Sequence, residues 1–218
     1  MTYEEIKKNP EVCALLEKGN ANLGVLGFTD HSLAHCVFVA ERAAQILKQL
    51  GYSEHEQELA RIAGVMHDIG NAVNRTHHAE IGAVLANGIL QKTDMPLQDR
   101  ITVISAIGNH DESTGGAKDV VSAAIVIADK TDVRRNRVRH KEPGKFDVHD
   151  RVNYAVTGSN LRIDPVERKL SLNIQIDPKI STMYEYFEIF LGRMMMCRGA
   201  AEMLEARFRL TVNGGKVL

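Results

Sequence analysis

The chain has little from which to build a disulfide framework. Its three cysteines, Cys13, Cys36 and Cys197, are odd in number, widely spaced and outside any CxxC pattern. That excludes a cross-linked scaffold and a cysteine-type zinc site, and it fits a reducing compartment. Long apolar runs are missing too. The longest, VVSAAIVIA at 120–128, is far short of the roughly 20 residues that span a bilayer. The opening MTYEEIKKNPEV has no apolar core of a secretion signal, so the expectation is a cytoplasmic protein with no membrane partner. Neither sign of charge is in excess. A formal net charge of -1 gives no chain-wide attraction to nucleic acid or to a membrane surface, and nucleic acid is not expected as a partner. Internal repeats, low-complexity segments and serine or cysteine nucleophile motifs are also absent.

What is present is the composition of an ordinary globular protein, 44% hydrophobic and 25% charged over 218 residues. Up to about residue 140 the apolar spacing is helical. It predicts helices near 10–23, 32–50, 54–69, 77–91, 97–111 and 117–134, with stops at Gly51, Gly70 and Gly115-Gly116. The pattern changes after the basic stretch RNRVRHKEPGK at 135–145. Leu170, Leu172, Ile174 and Ile176 alternate with polar residues, as a half-buried strand does, and Asp164-Pro165 before them marks the turn of an antiparallel hairpin. Thr182 and Glu185 have capping-box spacing and open a long helix through about Arg207, and FRLTV at 208–212 reads as a last strand. The expected fold is mainly α, a helical domain over 1–145 followed by a small α+β appendage over 146–218.

Several predicted helices carry one polar residue in an otherwise apolar stripe. His35 is in register with Val39 and Ile46, His67 with Ala63 and Leu59, His78 with Ile81 and Leu85, His110 with Ile107 and Val103, and Asp129 follows Ile125 by one turn. One such histidine is ordinarily a satisfied core residue. Five helices with the same feature call for a shared partner, because each buried ionisable group needs one. Imidazole and carboxylate donors together suit divalent ions such as Mn²⁺, Fe²⁺ or Zn²⁺. Asp68, next to His67 at the glycine-terminated end of VMHDIG, would join them.

In order and context these residues resemble the HD-domain superfamily of metal-dependent phosphohydrolases. The pattern H...HD...H...H...D is carried by HCVFVAERAAQIL, AGVMHDIGN, HHAEIGA, IGNHDE and IADKTD. The resemblance covers about residues 28–135 and implies an HD-type helical bundle. It implies His35, His67, Asp68, His78, His110 and Asp129 as metal ligands, with Asp68 bridging two divalent ions (Mn, Fe, Ni, Co or Zn). It further implies hydrolysis of a phosphoester or phosphoanhydride of a small metabolite or nucleotide by a metal-bridged hydroxide. Two metals so placed lower the pKa of a shared water and neutralise charge on phosphoryl oxygens.

Cations for the phosphate are expected from the run KTDVRRNRVRHK at 130–141. Lys130 and Arg134 lie one helical turn apart there and could face the pocket mouth. His31, four residues before His35, is a candidate proton donor to the leaving group, a capping residue, or an alternative first ligand. Asp111 is either a further metal group or an exposed carboxylate. Asn71 stands where HDIGK-type relatives have lysine, and the paired histidines and Gly-Tyr-Pro signature of cyclic-dinucleotide phosphodiesterases are absent, as is the ED pair of alarmone hydrolases. Two other readings keep the same ligands: an HD-type di-iron oxygenase and a non-catalytic metal-binding regulator. The MMMC segment at 194–197 offers a core, a lid or a homodimer interface.

Overall fold

The computed structural model describes residues 1–139 and 148–218. The expected domain boundary between 145 and 146 and the Lys141 end of the basic run lie outside them. The mainly helical architecture with a small C-terminal sheet is borne out. Helices α1 (Tyr3–Lys7), α2 (Pro10–Val25), α3 (Leu33–Gln49), α4 (Glu54–Met66), α5 (His78–Leu90), α6 (Leu97–Gly108) and α7 (Val120–Lys130) form the bundle. Their starts follow from local chemistry. Asn9 caps α2 ahead of Pro10, Ser53 and Glu56 close a capping box on α4, and Asp119 and Ser122 do the same on α7.

Helix α7 is apolar on every side, with Val121 and Ala123 through Ala128 all buried. A helix without a polar face belongs in the middle, and α3, α4 and α6 all touch it, as does the long C-terminal helix Met183–Met203. Helices α3 and α4 approach so closely that a Cβ on Gly64 would lie 2.6 Å from Ala40 Cα. Across this contact the His35 and His67 rings lie 5.4 Å apart, centroid to centroid.

The C-terminal segment consists of α8 (Val148–Ala155), β1 (Val156–Asp164), β2 (Lys169–Ile176), α9 (Met183–Met203), β3 (Arg207–Val212) and β4 (Gly215–Lys216). Strand order is β1-β2-β3-β4. The expected β1–β2 hairpin is antiparallel. β3 pairs parallel to β2, because α9 carries the chain back across the sheet, as parallel pairing requires. Leu170, Leu172, Ile174 and Ile176 are buried in one apolar core with Tyr186, Phe190 and Met194 of α9, and that core is continuous with the helical bundle.

Several boundaries differ from the spacing-based ones. α4 ends at Met66 and gives way to a 3-10 turn at Ile69–Ala72, α7 stops at Lys130, and α9 stops at Met203. Helices α1 and α8 have no counterpart in the sequence reading. Met194 is core, whereas Met195 faces out. Among the described residues no helix is long and apolar enough to cross a membrane.

Candidate metal centre

The end of α4 answers why histidine and aspartate stand side by side. His67 caps the end of α4 and keeps helical torsions (φ -57°, ψ -34°), whereas Asp68 (φ -97°, ψ 3°) has already left the helix. Neighbours that a regular helix would fan about 100° apart can therefore converge, and His67 Nε2 lies 3.3 Å from Asp68 Oδ2. The next glycine permits the close approach of α5. A Cβ on Gly70 would lie 2.0 Å from His78 O, so only glycine lets α5 start here.

The six expected ligands meet in one place. His35 Nε2 is 3.3 Å from Asp129 Oδ1 and 3.8 Å from Asp68 Oδ2. His78 Nε2 is 3.1 Å from His110 Nε2 and 3.7 Å from Asp68 Oδ1, and His110 Nε2 is 4.0 Å from the same oxygen. Asp68 thus turns Oδ2 toward His35 and His67, and Oδ1 toward His78 and His110.

Each imidazole is oriented by its other nitrogen. His67 Nδ1 lies 2.7 Å from Gly64 O, His110 Nδ1 2.6 Å from Ile107 O, and His78 Nδ1 3.1 Å from Arg75 O. His35 Nδ1 lies 2.8 Å from Asp132 Oδ2. These pairings put the proton on Nδ1 and leave Nε2 as the lone-pair nitrogen, as a metal-binding histidine needs. The arrangement fits a divalent ion on its own evidence. His35 Nε2, His67 Nε2 and Asp68 Oδ2 are buried without a hydrogen-bond partner, a costly state unless something else satisfies them. Two donor sets, His35–His67–Asp129 and Asp68–His78–His110, each lie within 4.8 Å and can hold an ion.

The electrostatics follow from burial and near neighbours. Burial pushes the Asp129 carboxyl up, but the Lys130 ammonium together with His35 and His67 outweighs it and holds the group well below the usual range. Burial likewise opposes Asp68, and His67 and His31 outweigh it. Burial would lower His67, but the Asp68 carboxylate raises it well above the ordinary value. Burial, with His67 and His78 nearby, takes His110 down to about 3.

A cavity of about 230 Å³ opens onto this cluster. Lys130 lines it, but its ammonium is held 2.8 Å from Asp129 Oδ2 and 2.7 Å from Glu112 Oε2. Lys130 therefore aims Asp129 Oδ1 at the histidines. Arg134 does not reach the cavity. The expected helical turn from Lys130 does not exist, because α7 ends there, and the Arg134 guanidinium pairs with Asp132 and lies 3.9 Å from the Phe38 ring centroid. Arg137 takes its place on the lining, with Nε on Asp30 O at 3.0 Å, while Arg139 Nε holds Phe28 O at 2.8 Å. These arginines of the basic run clasp the loop that forms the cavity rim. His31 lines the cavity with Nδ1 2.7 Å from Thr29 O. Burial lowers it well below the ordinary range, which favours the neutral imidazole. Asp111 lies beside the cluster, Oδ2 3.7 Å from His78 Nε2, with Oδ1 taken by Ser113.

Three contributors escaped the sequence reading. Asp132, fully buried, orients His35; only its place three residues after Asp129 could have signalled it. Asn71 donates from Nδ2 to Asp68 Oδ1 at 2.8 Å and so fixes the central carboxylate. The C-terminal segment supplies a wall: Asp150 and Asn153 from α8, Phe190 and Arg193 from α9.

Fold and donors together define a helical domain whose histidine and aspartate side chains can hold divalent metal. Residues 32–143, more than half of the chain, match the HD domain family, and the chain belongs to it. It is 28% identical to an uncharacterized protein of Methanocaldococcus jannaschii, an alignment that covers 87% of this chain and 80% of that one. It is 31% identical over 138 residues to ribonuclease Y of Campylobacter jejuni subsp. doylei, which covers 62% of this chain and 24% of that protein. The ribonuclease Y of Aster yellows witches'-broom phytoplasma is also 31% identical, over 48% of this chain and 18% of that protein. The chain thus spans a quarter or less of those ribonucleases. A crystal structure of a predicted HD superfamily hydrolase from an uncultured Thermotogales bacterium superposes with a TM-score of 0.44 at 23% identity, covering 57% of this chain and 67% of that one.

Proposed function

We propose that the protein is a phosphohydrolase that carries two divalent ions and acts on a small phosphorylated metabolite or nucleotide. The observation that carries this reading is the split of Asp68, one oxygen toward His35 and His67 and the other toward His78 and His110. His35, His67 and Asp129 would hold one ion, His78 and His110 the other, and Asp68 both. When bound, such ions supply Lewis-acid chemistry and lower the pKa of a coordinated water.

The remaining work falls to the chain's own residues. Asp132 and the carbonyls of Gly64 and Ile107 keep the imidazoles in the donor tautomer. Lys130 leaves Asp129 one free oxygen. His31, with Nδ1 committed to Thr29 O, leaves Nε2 to accept a hydrogen bond from a group in the cavity. Arginines on the lining draw the anionic substrate in, and α8 and α9 close the cavity to a size that suits a small molecule. The similarity to ribonuclease Y supports phosphodiester substrates as a second reading, so RNA belongs among the compounds tried.

The test is metal content followed by turnover. Two equivalents of metal in the purified or Mn²⁺-reloaded protein, reduced in Asp68→Asn, support the bridged pair. The loaded protein is then offered phosphomonoesters, nucleotides, dinucleoside polyphosphates and RNA with phosphate or product release as the readout. Oxygen uptake without phosphate release would make it an oxygenase, and no turnover of any phosphoester would leave a metal-binding regulator.

A further inference from the structure

We propose that Arg75 is the anion-binding residue of the cavity, the side chain that receives the phosphate group of the substrate. This rests on the phosphohydrolase reading above, and its argument is a tally of charge. Four cations line the cavity: Arg75, Lys130, Arg137 and Arg193. Three are already answered. Lys130 lies between Asp129 and Glu112. Arg193 Nε donates to Glu112 Oε1 at 2.8 Å. Arg137 donates to the carbonyls of Asp30 and Asp132 at 3.0 and 2.9 Å, with Asp132 Oδ2 3.7 Å away.

Arg75 alone of the four has no carboxylate within 4.0 Å among the described residues; its Nη1 lies 3.4 Å from Asn71 Oδ1 and 3.2 Å from His78 Nε2. The second contact is the informative one. It sets a guanidinium against the lone pair that His78 would give to a metal, and once that lone pair is engaged the guanidinium needs another acceptor. An anion beside the metal donors supplies it. Arginine is suited to this, because its planar fork takes two phosphate oxygens at once. The Phe28 ring, 5.3 Å from the guanidinium and itself on the lining, steadies the plane of the fork.

The experiment uses the full chain loaded with Mn²⁺, inorganic phosphate as the probe, and calorimetry as the readout. Wild type should bind phosphate, Arg75→Gln about 10- to 100-fold more weakly, and Arg75→Lys in between. The KM for any phosphoester that is turned over should rise by the same factor in Arg75→Gln. Phosphate affinity within about twofold of wild type in Arg75→Gln overturns the assignment, as does a wild type that binds no phosphate. Loss of Mn²⁺ from Arg75→Gln also overturns it, because Arg75 would then be a support for His78. The two readings fail separately. Arg75-dependent phosphate binding without any turnover sinks the phosphohydrolase and keeps the subsite; turnover with Arg75-independent phosphate binding does the reverse.

Discussion

Adding one methyl group at Gly70 should unseat half of the metal centre. A Cβ there would lie 2.0 Å from His78 O and 2.6 Å from Gly82 N, both backbone atoms of α5. No side chain can swing aside, so α5 must retreat by about 1.4 Å to restore ordinary contact. Overpacking of this kind costs about 1–3 kcal/mol, and for a chain of this length each kcal/mol lowers Tm by about 2–4 °C. Gly70→Ala should therefore melt about 2–12 °C below wild type. His78 rides on the first turn of α5 and lies 3.7 Å from Asp68 Oδ1. The same displacement pulls it from the His110–Asp68 set and leaves His35, His67 and Asp129 in place. In a calorimetric Mn²⁺ titration the loss should fall on one part of the binding, weakened at least about tenfold. Gly88→Ala, on the same helix, meets nothing within 4 Å and should raise Tm, since alanine is the better helix former by about 0.5–1 kcal/mol. Wild-type melting and a superimposable metal titration for Gly70→Ala would refute the argument from backbone contact.

Asp132→Asn keeps the shape at His35 Nδ1 but removes the carboxylate, and metal affinity measured by chelator competition should drop about 10- to 100-fold; an unchanged affinity would show that the pair does not tune the ligand. Glu112→Gln strips one of two carboxylates from buried Lys130 and the partner of Arg193, which should cost about 3 kcal/mol in urea unfolding, and a loss below about 0.5 kcal/mol would count against a structural charge chain. The metal-free protein should lose stability on acidification. Asp68 and Asp129 have depressed folded pKa values, so their contribution is present above the unfolded value and lost as pH falls through the folded one. His31, His78 and His110 are also depressed, so below about pH 6.5 the unfolded chain takes up protons that the folded one refuses. His67 is raised, and its contribution, full below the unfolded value, is lost only as pH rises through the folded one. It offsets only part of the effect. The slope is about 1.4 kcal/mol per pH unit for each net proton, and a urea midpoint unchanged between about pH 7 and 5 would contradict it.

The donors were legible because each breaks an apolar stripe, a feature that helical spacing exposes without any tertiary knowledge. His35, His67, His78, His110 and Asp129 were all found in this way, and the alternation of Leu170 to Ile176 gave the hairpin. Asp132 and Arg193 were illegible because their partners are remote in sequence. Asp132 meets His35 across 97 positions, and Arg193 meets Glu112 across 81. Arg134 was misread for a local reason: its expected place assumed that α7 continues past Lys130, whereas Thr131 caps it. The parallel β2–β3 pairing was equally invisible, since nothing in an alternating strand states the direction of its neighbour.

The donors and one wall of the cavity belong to different stretches of chain. The six clustered donors lie between residues 35 and 129, whereas Asp150, Asn153, Phe190 and Arg193 come from beyond residue 147. Mutational drift can therefore act on one without the other. Exchange of side chains along α8 and α9 would change which molecule fits the cavity, while the inherited donor cluster stays whole.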